Sequence, residues 1–306
     1  MQREGNFSER IVLENEKLSA EILPQLGGKL SSVYWKPQGF ELAAPNTRGV
    51  YRLPGEDADF SEFDASGLDD AFPSIDGASV RREGNTVNYP DHGEIWSHPF
   101  AVLSGSRTEA ALEWESSRFE YRYEKRVRLE DDSLLLDWKI TNVSDRTLPC
   151  IWTFHGLMRY EEDMRLILPS DLTRFRNVMD SPLLGEAGRI YERKNDVWDF
   201  ERVPKRLPET ALKFYGEGRS REGVCGLVYP TQKTACIMTY DADQLPWLGV
   251  WITAGGYRGD YNVALEPSNG FYDDIFTAEK NGCLYALPGK ETLAFSMRLK
   301  LESLSD

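Results

Sequence analysis

Residues 119–140 read FEYRYEKRVRLEDDSLLLDWKI. Phe119, Tyr121, Tyr123, Val127 and Leu129 share one parity, with polar residues between them. After Asp131-Asp132-Ser133, a turn signal, Leu134, Leu136, Trp138 and Ile140 alternate in the same way. A period of two is the mark of a strand with one face buried, so the stretch predicts a long β-hairpin.

The same period recurs on both sides. Leu18, Ala20 and Ile22 alternate until Pro24 and Gly27-Gly28 break the run, and a second apolar stretch follows from Leu30 to Trp35. Beyond Pro288-Gly289, Leu293, Phe295, Met297, Leu299 and Leu301 alternate again. No segment sustains a helical period over three turns. Pro169 to Asp199 is the least regular region, and any helices there are expected to be short. Gly55 to Asp70, with five Asp and two Glu, reads as a long surface loop. No linker or repeat interrupts the 306 residues. The expected architecture is all-β, a single domain over 1–306 built as one large antiparallel β-sandwich or barrel.

Composition narrows the function. Thirty-six basic residues against fifty acidic ones leave a net charge of −14, the wrong sign for displacing phosphate counterions, so no nucleic-acid partner is expected. No apolar run reaches the ~20 residues that a membrane-spanning helix needs. Cys150, Cys225, Cys236 and Cys283 are scattered, without zinc-ligand spacing, and read as reduced thiols of a cytoplasmic protein. No metal motif, nucleophile elbow or phosphate loop is present, so no metal or cofactor is expected.

The chain holds three histidines, His92, His98 and His155. Three segments combine ionisable groups with turns or strand ends. In Pro90-Asp91-His92-Gly93-Glu94-Ile95-Trp96, Trp96 offers a ring face and His92 and Glu94 offer hydrogen bonds, as a sugar pocket requires. A capped histidine in a surface loop fits the same residues. In Ile151-Trp152-Thr153-Phe154-His155-Gly156, His155 lies in an apolar strand. It suits either a core histidine or, beside a carboxylate, a general acid. Glu266 ends an apolar strand before Pro267, where it suits either a general base or an acceptor of backbone N–H groups.

Taken in order, these segments resemble the aldose 1-epimerase (galactose mutarotase) superfamily. Leu18 to Leu30 looks like its first hairpin. Gly67-Leu68-Asp69-Asp70-Ala71-Phe72-Pro73 resembles a stretch of its bacterial members. Asp91-His92-Gly93-Glu94 and Phe154-His155 look like its two histidine motifs. Leu245 to Trp251, followed by Leu265-Glu266-Pro267, resembles the strand pair that carries its glutamate, and Leu287 to Leu293 its last turn and strand.

The resemblance implies a β-supersandwich with a sugar cleft on a concave sheet, and an isomerase that interconverts the anomers of a free sugar. His155 would protonate the ring oxygen, Glu266 would take the anomeric proton, and His92 would bond the ring oxygen or a neighbouring hydroxyl. Asp70, Glu94, Trp96, Lys213 and Trp251 are the expected substrate contacts. Two features depart from the family. Gly156 stands where many members have proline, and Lys213 falls in the stretch where the galactose enzymes carry an acidic sugar ligand. A Lys213 facing the cleft would favour an acceptor-rich or anionic substrate group. A non-catalytic carbohydrate-binding protein of this fold is the alternative, and polysaccharide cleavage a third reading.

Overall fold

A computed structural model describes residues 10–82 and 84–305 of the chain. Two large antiparallel sheets face each other. The first runs, in spatial order, Ile11–Glu14, Leu18–Leu23, Lys29–Trp35, Leu68–Ala71, Thr153–Gly156, Tyr261–Ser268, Trp247–Ala254, Thr210–Gly216, Arg174–Asn177 and Ile190–Glu192. The second runs Arg165–Ile167, Val224–Tyr229, Thr234–Tyr240, Thr292–Ser303, Ser133–Asn142, Tyr121–Glu130, Glu109–Ser116 and Ala101–Gly105.

The expected hairpin is there. Tyr121 pairs with Asn142 and Glu130 with Ser133, and Asp131 takes a left-handed φ of 51° at the turn. Residues 121–130 alternate buried with exposed or half-buried positions throughout, so the outer face of this sheet meets solvent. Lys125 occupies an inward slot of that alternation. Its amine lies 2.8 Å from Asp70 Oδ2, which also accepts from Trp138 Nε1 at 3.0 Å and Tyr123 Oη at 3.2 Å. This buried pair ties the two sheets together across a core of Trp138, Trp152, Phe154 and Phe295.

Strands 261–268 and 247–254 are buried on nearly every residue, because loops cover the face that turns away from the second sheet. That covered face holds the site. One expectation is corrected. Residues 55–70 are not simply a surface loop: Phe60, Phe63, Asp64 and Ser66 are buried, and Leu68–Ala71 is an interior strand. Between Pro169 and Asp199 the chain forms short strands and turns, in keeping with the irregular reading of that region, and the one α-helix among the described residues is Ile275–Lys280. No helix among the described residues is long and apolar enough to cross a membrane.

Candidate active site

Strand register decides which side chains share the covered face. His155 pairs with Asp69, and Thr153, two residues earlier, pairs with Ser268. Glu266 pairs with Gly249, which pairs in turn with Tyr215. Trp251 pairs with Lys213 and with Ala264. Opposed residues in a ladder point to the same side, and so do residues two apart. His155, Asp69, Glu266, Tyr215, Lys213 and Trp251 therefore lie on one face. Phe154 and Asp70 pair on the opposite face, toward the second sheet.

His155 is 7% exposed. Its Nδ1 lies 2.8 Å from Asp69 Oδ1. Lys29 Nζ sits 3.3 Å from Asp69 Oδ2 and 2.7 Å from Asp64 Oδ2. Burial pushes the Asp69 carboxyl up, but Lys29 and His155 outweigh it and leave the carboxyl below its ordinary value. Burial likewise disfavours the Lys29 ammonium, and Asp64 and Asp69 more than restore it. Gly156 has a local cause: a Cβ there would meet the Phe154 ring at 2.4 Å.

His92 arrives from a loop. The backbone of Gly93 passes so close to Phe72 that a Cβ would stand 2.0 Å from the Phe72 carbonyl oxygen. His92 itself is left-handed, at φ 57°, and its N–H donates to the Ile75 carbonyl. Its Nδ1 lies 2.8 Å from Asp91 Oδ1. Its ring stacks on Phe60 at 3.9 Å and meets the His155 ring edge-on at 4.9 Å. Burial lowers the His92 pKa, with Asp91 opposing and the nearby His155 adding to the fall.

Glu266 is 1% exposed, and its Oε2 accepts no hydrogen bond. Lys213 Nζ stands 3.5 Å from that oxygen and 3.1 Å from Asp273 Oδ1, which also accepts from Tyr215 Oη at 2.6 Å. Burial raises the Glu266 pKa, with Lys213 and His155 pulling the other way. Burial also opposes the charge on Lys213, but Asp273 and Glu266 win and hold it firmly protonated.

The structure thus brings together His155, Glu266, His92 and Lys213. Lys213 lies on the covered face, with its ammonium between two carboxylates, Glu266 and Asp273. Trp251 shares the face; its indole donates to Asn262 Oδ1 at 2.9 Å and packs on Ala44, Leu157 and Ala264. Trp96 stands one ring back, edge-on to Phe60 at 5.0 Å, with its N–H on the Asp91 carbonyl.

Two expected contacts fall elsewhere. Asp70 is on the wrong parity and serves the inter-sheet core. Glu94 turns to the second sheet, where its Oε2 accepts from Ser116 at 2.7 Å and Tyr121 at 2.9 Å. Sequence reasoning passed over Asp69, Asp91, Lys29, Asp273 and Phe60. Asp69 and Asp91 adjoin residues it named, but only the register of their strands separates Asp69 from Asp70. Phe60 carries no such signal. Its loop is held by Arg48, Arg52 and Arg258, which donate to the carbonyls of Ser61, Glu62 and Phe63.

Solved structures share the architecture. A galactose mutarotase-like protein from Lactobacillus casei ATCC 334 superposes with a TM-score of 0.73 at 18% identity, over 96% of this chain and 100% of its own. The Slr1438 protein from Synechocystis sp. PCC 6803 gives 0.76 at 16% identity, over 99% of each chain. A galactose mutarotase related enzyme from Lactobacillus acidophilus gives 0.72 at 15%, over 97% of this chain and 99% of its own. The fold is the galactose mutarotase-like β-sandwich. No curated protein matches the sequence. Residues 93–301, more than half of the chain, match the family described as a domain of unknown function, DUF4432, and the chain belongs to that family.

Proposed function

We propose that this protein is an aldose 1-epimerase-type isomerase, interconverting the α and β anomers of a free sugar. One observation carries the reading. A buried carboxylate with an unbonded oxygen, Glu266, and a histidine whose Nδ1 is already engaged, His155, lie on one face of one sheet.

The reaction needs a proton given at one oxygen and taken at another. Glu266 takes the proton of the anomeric hydroxyl as His155 Nε2 gives one to the ring oxygen. The bond between ring oxygen and anomeric carbon breaks, and an open-chain aldehyde forms. Rotation about the adjoining carbon–carbon bond presents its other face. The ring hydroxyl then adds to the carbonyl, returning its proton to His155, and Glu266 returns its own to the new anomeric oxygen. Each transfer group supplies roughly 10²–10⁴-fold. Burial suits Glu266 to the task, because a carboxylate stripped of water is a stronger base.

His92 joins as the second ring-side hydrogen-bonding group, and Trp251 as an apolar wall. The substrate is a neutral free sugar, and neither nucleic acid nor a membrane is a partner. A cytoplasmic location belongs to the same reading, supported by four cysteines without a disulfide among the described residues. The test is polarimetry on a panel of pure α-sugars. Catalysed equilibration of at least one sugar is the expected result. Saturable binding with no acceleration of any sugar would instead make this a carbohydrate-binding protein.

A further inference from the structure

Both histidines of the site hold a carboxylate through Nδ1, at the same 2.8 Å, yet the two pairs are built differently. Asp91 is a third exposed, and its second oxygen accepts the Phe60 backbone N–H at 2.8 Å. Asp69 is buried, and its second oxygen faces the Lys29 ammonium, itself buried and held by Asp64. The His155 ring is further bracketed by the edges of Phe60 at 5.3 Å and His92 at 4.9 Å.

We infer that Asp69 is the positioning residue for the acid: it fixes the His155 ring through Nδ1 so that Nε2 is the nitrogen that exchanges a proton with the sugar. The inference rests on the proposed epimerase reading and deepens it. An imidazole that is free to turn presents either nitrogen, and a neutral one exists as two tautomers. A carboxylate acceptor at Nδ1 selects the tautomer with the proton on Nδ1, which leaves the Nε2 lone pair to recover a proton from the substrate. It also offsets the charge of the imidazolium that donates. Lys29 keeps this arrangement from costing a lone buried anion. With His155 protonated, Lys29, Asp64, Asp69 and His155 carry two charges of each sign.

His155 is not alone with Asp69. Asp91 and His92 face it from the loop, Glu266 from the neighbouring strand, and Lys213 lies behind Glu266. A change confined to Asp69 must therefore be read against those fixed charges.

The test is Asp69→Asn in the full chain, which preserves shape and removes the charge. We expect kcat for anomer exchange to fall about 10²–10⁴-fold, with KM within roughly threefold. ¹⁵N NMR of His155, assigned by the signal missing in His155→Gln, should show the neutral ring as Nδ1–H in wild type and a mixture of tautomers in Asp69→Asn. A variant with wild-type kcat and an unchanged tautomer overturns the inference. Should the variant not fold, the wild-type spectrum decides: a neutral His155 protonated on Nε2 overturns it. Should no sugar be turned over by wild type, the epimerase reading fails while the NMR still judges the hold of Asp69 on His155.

Discussion

Gly249 stands directly opposite Glu266 in the ladder of strands 247–254 and 261–268. A Cβ on it would lie 3.0 Å from Glu266 Oε2 and 2.9 Å from the Tyr215 ring. The glycine is thus the space into which the carboxylate and the tyrosine fold. Gly249→Ala should push the carboxylate aside at an overpacking cost of about 1–3 kcal/mol. We expect kcat/KM to fall at least tenfold while the protein stays folded, as measured by circular dichroism and anomer-exchange kinetics. Unchanged kinetics would show that Glu266 needs no such room.

Lys213→Met removes the cation beside Glu266. Burial already raises the Glu266 pKa, and Lys213 opposes that rise. Without Lys213 the pKa climbs further. A general base works only when ionised, so the acid limb of the kcat/KM profile should move to higher pH. A limb that stays in place would detach Lys213 from the base.

Phe60→Ala uncovers one face of His92, the ring it stacks on at 3.9 Å. Burial is the main cause of the lowered His92 pKa, so restoring water should return that pKa toward the ordinary histidine value. NMR titration of His92 checks this directly. In the same variant the rings of Trp96 and His155 lose an edge contact.

Asp70→Asn tests the corrected placement. Breaking a buried ion pair costs about 3–5 kcal/mol, because the remaining charge is stranded. The melting temperature should fall, and kcat measured well below it should stay within about threefold of wild type. A selective loss of kcat would return Asp70 to the sugar cleft.

The contrast between these variants shows what was legible in the sequence. The hairpin at 121–142 could be read because one of its faces meets water, so polarity alternates along it. Lys125 interrupts that alternation, and only the structure shows why: it fills an inward slot and pairs with Asp70. The strand carrying Glu266 gave no burial contrast to read, because both of its faces are covered and Asn262, Glu266 and Ser268 are buried like their apolar neighbours. His155, Glu266 and His92 were found through motif order, but the choice between Asp69 and Asp70 needed the register with Phe154 and His155. Phe60 was out of reach: it belongs to an acidic loop without periodicity, and its partners, His92 and His155, lie far along the chain.

The most direct measurement is anomer exchange by NMR on a responsive sugar, comparing wild type with His155→Ala and Glu266→Gln. The account predicts that wild type accelerates exchange well above buffer and that each variant loses about 10²-fold or more, with folding intact. Exchange in wild type no faster than in either variant would contradict the assignment of acid and base.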